Sequence, residues 1–318
     1  MKIPKEVVAA LKKENVFLIA AHINPDGDAL GSCLALSSAL ESAGKEVYVY
    51  NKDSVPAFYR FLPGYKRVRS SVKKSIAKDP VLILLDCNSP DRAALERYPF
   101  RKSIVIDHHE TETDFGDIRW VVPAAAATGL MVFSLIKAMG VALTVDIATN
   151  LYTAIAVDTG TFRYSNTSSE VLRVSAELIE AGAAPAFIAE CLFERWEKSR
   201  FDLLVMTLNN LEIKNDIAMM HITKDMFAKT ETTTEDTENF SNLPRKIRSV
   251  IISALFRELG NGFWKTSLRS KGNVNVARIA ELFGGGGHKN AAGFRIGGSL
   301  NAAKKKLLLA AGKISRDR

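Results

Sequence analysis

Val81-Leu82-Ile83-Leu84-Leu85-Asp86 and Ser103-Ile104-Val105-Ile106-Asp107-His108-His109 are two short, mostly apolar runs, each closed by an aspartate. Neither shows the alternation of a half-exposed strand, so both predict strands buried on two faces, as in a parallel sheet. The pattern begins earlier in the chain. Val16-Phe17-Leu18-Ile19-Ala20 leads into His22, residues 29–43 have helical periodicity that stops at Gly44, and Glu46-Val47-Tyr48-Val49-Tyr50 reads as another strand. The expected class is α/β, with an N-terminal doubly wound, mainly parallel sheet. In such open sheets ligands bind beyond the carboxyl ends of the strands. His22, Asp86 and Asp107 each follow a predicted strand by one or two residues, so three separate segments bring polar side chains to one sheet edge.

Further along, Asp158 follows the apolar residues 151–157, whose state the pattern leaves open between strand and helix. A helix is expected over residues 168–181 and a helical connector over 186–200. This divides the chain into a first domain of residues 1–185 and a smaller α/β domain of residues 201–318. In the second domain the pattern predicts strands after Arg200, such as Ile217-Ala218-Met219-Met220-His221-Ile222, and a loose acidic stretch over 230–237. It also predicts an amphipathic helix over 244–252 and a hairpin turning at Gly260-Asn261-Gly262. A helix over 274–283 should stop at Gly284-Gly285-Gly286-Gly287-His288.

With 318 residues, 47% hydrophobic and 25% charged, the composition is that of an ordinary globular protein. No apolar stretch approaches the ~20 residues a membrane span needs, and the start Met1-Lys2-Ile3-Pro4-Lys5-Glu6 lacks a signal-peptide pattern. A cytoplasmic protein with no membrane association is the expectation. Cys33, Cys87 and Cys191 are isolated, which argues against a disulfide framework and a zinc site and reads as buried thiols. The net charge of +8 favours anionic substrates. It is spread over Lys66-Arg67-Val68-Arg69, Lys73-Lys74, Arg245-Lys246-Ile247-Arg248, Arg269-Ser270-Lys271 and Lys304-Lys305-Lys306.

The densest chemistry is His22-Ile23-Asn24-Pro25-Asp26-Gly27-Asp28. Asn24-Pro25 turns the backbone and Gly27 permits a tight bend, so His22 and Asp26 could reach one cation while Asp28 points to a neighbour. The alternative is an aspartate turn that merely caps the following helix. Asp107-His108-His109 weighs against that second reading, because three adjacent ionisable residues after a buried strand are costly without a partner. Imidazole and carboxylate together form the donor mix of paired divalent ions, a pair suited to phosphate-ester cleavage. Four consecutive glycines before His288 suggest backbone amides open to an anion.

In these motifs, with Asp86, Asp158-Thr159-Gly160 and Gly284 to Gly293 added, the chain resembles the DHH phosphoesterase superfamily over nearly its whole length. That superfamily includes RecJ-type exonucleases, manganese-dependent pyrophosphatases and small-oligonucleotide hydrolases. The resemblance implies a metal-binding DHH domain followed by a DHHA1 domain, with the active site in the cleft between them. It implies one ion on His22, Asp26 and Asp86, and a second on Asp28, Asp86, His108 and Asp158, with Asp86 bridging. The cofactors would be two Mn²⁺, with Mg²⁺ or Co²⁺ admitted. His109 would face the substrate phosphate, and Asp107 would orient a histidine ligand through its other ring nitrogen. Ser267, Arg269, Ser270, Gly285, Gly286, Gly287 and His288 resemble substrate-gripping residues, and Arg163 is a further candidate against a structural ion pair.

The compact two-domain form is similar to the oligoribonuclease branch, which also dephosphorylates 3′-phosphoadenosine 5′-phosphate. Expected partners are therefore short RNA or DNA oligonucleotides and nucleotide phosphates, with a homodimer left open. A soluble cyclic-dinucleotide phosphodiesterase, a RecJ-like single-strand exonuclease and a non-enzymatic RNA-binding module are the alternatives.

Overall fold

Parallel register governs the first half of the molecule, which is a computed structural model describing residues 1–72, 79–109 and 113–314. The Lys73-Lys74 pair lies outside the described residues. Six strands, β1 (Val16–Ala20), β2 (Glu46–Tyr50), β3 (Val68–Arg69), β4 (Val81–Leu85), β5 (Lys102–Asp107) and β6 (Ile118–Val121), form an all-parallel sheet in the order β3-β2-β1-β4-β5-β6. Chain order reverses direction at β1 and β4, so the crevice of a doubly wound sheet opens between their carboxyl ends. Leu85 pairs with Ile106, which sets Asp86 level with Asp107 one residue further on.

One face of this sheet is covered by helices α1 (Lys5–Lys13), α2 (Gly27–Ser42), α3 (Thr128–Met139) and α4 (Val145–Asp158), whose apolar sides merge with Phe17, Ile19, Ile83 and Ile104 into the main core. On the other face, Leu18, Leu82, Leu84 and Val105 pack under Cys87, Ala93 and Leu95 from the turn-rich segment after β4. All three cysteines are buried and free. Helices α5 (Ser169–Glu180) and α6 (Pro185–Phe193) complete this unit, which runs from Met1 to Arg195. The segment before Asp158, left open above, is helical. It is part of α4, ten of whose residues are buried, and a helix can bury so continuous a run only because α2, α3 and α5 surround it.

The second unit, Trp196–Arg318, holds a mixed six-stranded sheet in the order β11-β12-β10-β9-β8-β7. Its strands are β7 (Glu212–Lys214), β8 (Ile217–Ile222), β9 (Ile252–Gly260), β10 (Phe263–Ser270), β11 (Gly286–His288) and β12 (Ala291–Gly297). Helix α9 (Val276–Glu281) and helix α10 (Leu300–Ile314) share one core cluster with the sheet, and helix α7 (Lys198–Leu208) and helix α8 (Lys224–Thr230) share another. The expected hairpin is present, and Gly260, Asn261 and Gly262 all take positive φ at its turn.

Two expectations are corrected. The pattern after Arg200 is not yet strand, because α7 continues to Leu208 and buries Leu203 and Leu204. The two compact units divide between Arg195 and Trp196, within the stretch read as a connector, and α6 lies in the first. The helix expected over 244–252 is a 3₁₀ turn over Phe240–Lys246 that ends before β9, since Pro244 supplies no amide and Ile252 joins the sheet.

Candidate functional site

Asp26 begins α2, and its Oδ1 accepts the amides of Asp28 and Ala29 at 3.0 Å. The capping reading is therefore correct, yet it does not displace the other. A carboxylate oxygen of Asp26 also lies within 4.8 Å of donor atoms of His22 and Asp86. The loop before it is braced from three sides. Ile23 N–H donates to the Arg92 carbonyl, Asn51 Nδ2 donates to the His22 carbonyl, and Asn24 N–H donates to Asp53. His22 Nδ1 faces the carbonyl of Ile23 at 2.8 Å, where only a protonated nitrogen is favourable. Its Nε2 is thereby left to point at Asp86 Oδ2, 3.2 Å away.

Asp86 is 2% exposed and holds a left-handed backbone, φ 55°, at the end of β4. Its second oxygen, Oδ1, lies 3.4 Å from His108 Nε2. One carboxylate thus presents a different oxygen to each histidine. His108 repeats the arrangement of His22: Nδ1 faces the Ala125 carbonyl at 3.1 Å, and Nε2 faces Asp158 Oδ2 at 3.1 Å and Asp28 Oδ2 at 3.8 Å. Two donor groups result, His22-Asp26-Asp86 and Asp28-His108-Asp158, with Asp86 also grouped with His108 and His109.

Asp28 shows how the fold builds the second group. Its side chain is fully buried, and its Oδ2 and Oδ1 accept the first amides of α3, Thr128 at 2.6 Å and Gly129 at 2.8 Å. Ser32 Oγ, one turn along α2, donates to the same Oδ1. A helix N-terminus favours a carboxylate, so α3 orients Asp28 from a hundred residues away. Sequence reading named neither Thr128 nor Ser32. A Thr-Gly pair opening a helix was the available signal, but nothing in sequence couples it to Asp28.

Asp107 is buried, and its Oδ1 accepts the amides of His108 and His109 and the Nδ1 proton of His109, the last at 2.6 Å. The histidine it orients is therefore His109, while His108 uses the Ala125 carbonyl. Asp107→Asn should lower kcat about 10- to 100-fold with little change in KM, because it removes the charge that fixes the ring of His109. Steady-state kinetics on a phosphodiester with metal saturating would check this, and an unaltered kcat would remove Asp107 from the machinery.

The electrostatics show whether divalent cations fit. Burial, then the charges of Asp86 and Asp158, push Asp28 well above the usual carboxylate range, and burial lifts Asp158 to about 6. Burial also raises Asp86, but hydrogen bonds from His108 and His22 outweigh it and hold that carboxyl well below its ordinary value. Burial alone would lower both histidines. Hydrogen bonding to Asp86 raises His22 to about 9, and bonding to Asp158 and Asp86 raises His108 to about 12. Protons are thus drawn in to neutralise a crowded anionic cluster, which is the place a divalent cation would take with N and O donors already converging.

The remaining expected residues divide. Arg163, the further substrate-binding candidate, donates Nε to the Gly160 carbonyl at 2.6 Å and braces the turn after Asp158. In the second unit, Arg269 is half-buried on β10. Ser270 points to the opposite side, where it is fully buried; its Oγ donates to the Val274 carbonyl at 2.6 Å and accepts from Asn290 at 2.8 Å. The period-two alternation of a strand separates these neighbours, so Ser270 does not share the surface of Arg269.

The glycine run is also less open than expected. Gly284 and Gly285 donate their amides to Glu281 and Ala280 at the end of α9, and Gly286 and Gly287 enter β11. A side chain at Gly285 would meet the Gly293 carbonyl at 2.1 Å, and one at Gly287 the Ala291 carbonyl at 2.5 Å, so both are needed for strand packing. At Gly286 a Cβ would meet nothing within 4 Å. His288 pairs with Ala291 through its backbone, and its side chain lies outside the described set. Of the aromatics, Phe162 packs on Tyr152 and Phe283 stacks on Phe294.

Comparison with known proteins agrees with the two-unit fold. Residues 16–155 match the DHH family, N-terminal domain, and residues 217–312 match the DHHA1 domain. The chain is 37% identical to the bifunctional oligoribonuclease and PAP phosphatase NrnA of Thermus thermophilus, covering 97% of this chain and 92% of that protein. It superposes with a TM-score of 0.89 on the crystal structure of an exopolyphosphatase-related protein from Bacteroides fragilis, at 30% identity over 97% of this chain and 95% of the other. Manganese-bound RecJ from Thermus thermophilus shares the fold at a TM-score of 0.54 and 15% identity, over 98% of this chain and 54% of that one.

Proposed function

The chain belongs to the DHH family of phosphoesterases and carries a DHHA1 domain, and on that premise we propose that it hydrolyses short oligonucleotides to mononucleotides and 3′-phosphoadenosine 5′-phosphate to AMP. The observation that carries this reading is Asp86, which offers one oxygen toward His22 and the other toward His108 inside a buried cluster of carboxylates. The substrates are suggested by the Thermus thermophilus relative, whose name includes both activities.

On this reading His22, Asp26 and Asp86 would hold one cation, and Asp28, Asp86, His108 and Asp158 would hold the other, with Mn²⁺ preferred and Mg²⁺ or Co²⁺ accepted. Bound there, a pair of cations would supply an acidified water and neutralise charge on the phosphate. The protein's own residues supply the rest. His22 and His108 keep Nδ1 on backbone carbonyls and turn Nε2 inward, which presets the ring orientation. His109, held by Asp107, faces the phosphate as a proton donor. Arg269 offers a forked guanidinium suited to a phosphate.

The test is product analysis with Mn²⁺ on a dinucleotide, a pentanucleotide, a strand several times longer and 3′-phosphoadenosine 5′-phosphate. Mononucleotide release that fades with length is expected. Better cleavage of the long strand would replace this reading with an exonuclease of long substrates, and silence on all four would sink it.

A further inference from the structure

We propose that Asn166 is a positioning residue for the second donor group, its side-chain amide tying the Asp158 main chain to Ala126 and so holding the Asp158 carboxylate against His108. The inference rests on the two-cation reading above and deepens it, since Asn166 is not itself one of the donors.

One short segment, Ala125 to Gly129, orients the whole group. Its Ala125 carbonyl faces His108 Nδ1 at 3.1 Å, and its Thr128 and Gly129 amides donate to the two oxygens of Asp28. The third member, Asp158, is joined to the same segment through Asn166. Nδ2 of Asn166 donates to the Ala126 carbonyl at 3.1 Å and to the Asp158 carbonyl at 3.1 Å. A primary amide carries two N–H donors and both partners are acceptors, so chemistry fixes which end of the side chain faces them. Asp28, His108 and Asp158 are thus all referred to one piece of backbone. His108 Nε2 then stands 3.1 Å from Asp158 Oδ2.

The chain returns to Asp158 within eight residues by an unusual turn. Asp158 is the last residue of α4, and the final carbonyls of a helix need partners from beyond it. The helix ends in a Schellman motif, in which the Gly160 amide donates to the Val157 carbonyl and the Thr161 amide to the Ala156 carbonyl. Gly160 takes the left-handed backbone that this motif uses, φ 57°. Thr161 at φ 59° and Phe162 at φ 61° then stay in the same region, where a β-branched and an aromatic residue are both disfavoured.

Three successive left-handed residues are held there by their surroundings. Thr159 Oγ1 accepts the Phe162 amide at 3.1 Å, and the Thr159 carbonyl accepts the amides of Arg163 and Tyr164. The Phe162 ring packs edge-on to Tyr152. Strain of this kind persists where the structure over-determines it. Here the reversal delivers one amide to two carbonyls. The His22 loop is braced separately, through Asn51, Asp53 and the Arg92 carbonyl, so loss of Asn166 should be felt by one cation.

Asn166→Ala and Asn166→Asp test the tie. Asn166 is exposed, so neither variant should lower the melting temperature appreciably. Mn²⁺ added to the metal-free chain and followed by calorimetry should show one of two sites weakened roughly tenfold and the other unchanged, as expected for a partner that orients a ligand. At low Mn²⁺ kcat should fall by a similar factor with KM little changed. Excess Mn²⁺ should restore much of that loss, which a merely loosened fold would not do. Aspartate keeps the shape but offers only acceptors to two carbonyls, so Asn166→Asp should be worse than alanine. Affinities within about twofold of native at both sites in both variants would overturn the proposal. Should the native chain bind fewer than two cations, the two-cation reading fails and the His108 ring signals of the metal-free chain, followed by NMR, decide the tie alone. Signals shifted in Asn166→Ala keep it, and signals superposed on the native ones remove it.

Discussion

Asp86→Asn should reduce phosphoester hydrolysis by at least ~10³-fold, a loss of about 4 kcal/mol in transition-state stabilisation. The substitution keeps shape and volume but replaces one carboxylate oxygen by an amide nitrogen that cannot accept. Asp86 faces His22 with Oδ2 and His108 with Oδ1, so either orientation of the amide leaves one donor group without its shared oxygen. The loss should appear in kcat and persist at saturating Mn²⁺. Metal binding followed by calorimetry should fall from two equivalents to fewer. A variant that retains a tenth of native kcat with two ions bound would show that Asp86 is not the shared ligand, and the two-cation arrangement would have to be redrawn.

Gly31→Ala tests the scaffold instead of the ligands. Gly31 lies where α2 crosses α4, and a Cβ there would stand 2.4 Å from the Asn150 carbonyl and 3.1 Å from the Ala154 Cβ. A backbone oxygen cannot rotate aside, so the helices must separate. Overpacking of this kind costs about 2 kcal/mol, or ~4–8 °C in melting temperature for a unit of this size. Activity should fall with stability, because Asp28 lies one turn before Gly31 on α2 and Asp158 one turn after Ala154 on α4. Gly312→Ala is the contrast. Gly312 lies in α10 with nothing within 4 Å of a Cβ, so alanine should be neutral or stabilising by up to about 1 kcal/mol. Equal melting temperatures for native and Gly31→Ala chains would mean that the helix crossing yields more than its geometry allows.

Much of the molecule was legible in one dimension because its signals are local. Short apolar runs closed by an aspartate, Val81–Leu85 and Ile104–Ile106, read as buried strands, and a parallel sheet places the residue after each strand at a common edge. The hairpin at Gly260-Asn261-Gly262 was legible because its turn needs the positive φ those residues tolerate. The helix over 244–252 failed for the converse reason: its apolar period was satisfied equally by a 3₁₀ turn and an incoming strand, and partners remote in sequence chose between them. The segment before Asp158 carried no period at all, being buried nearly all round.

Sequence by itself determined the fold class and named His22, Asp26, Asp28, Asp86, His108 and Asp158, residues that the fold then brings together. Tertiary structure alone decided how they are held. It set α3 against Asp28, gave Asp107 to His109 instead of His108, and turned Ser270 into the core away from Arg269. It also joined Ala126 to Asp158 through Asn166, a tie that no spacing in the chain announces. The physical reason is common to all of these. Composition and period report what a residue needs of its surroundings, whereas which distant amide, carbonyl or neighbouring charge meets that need depends on strand register and helix packing.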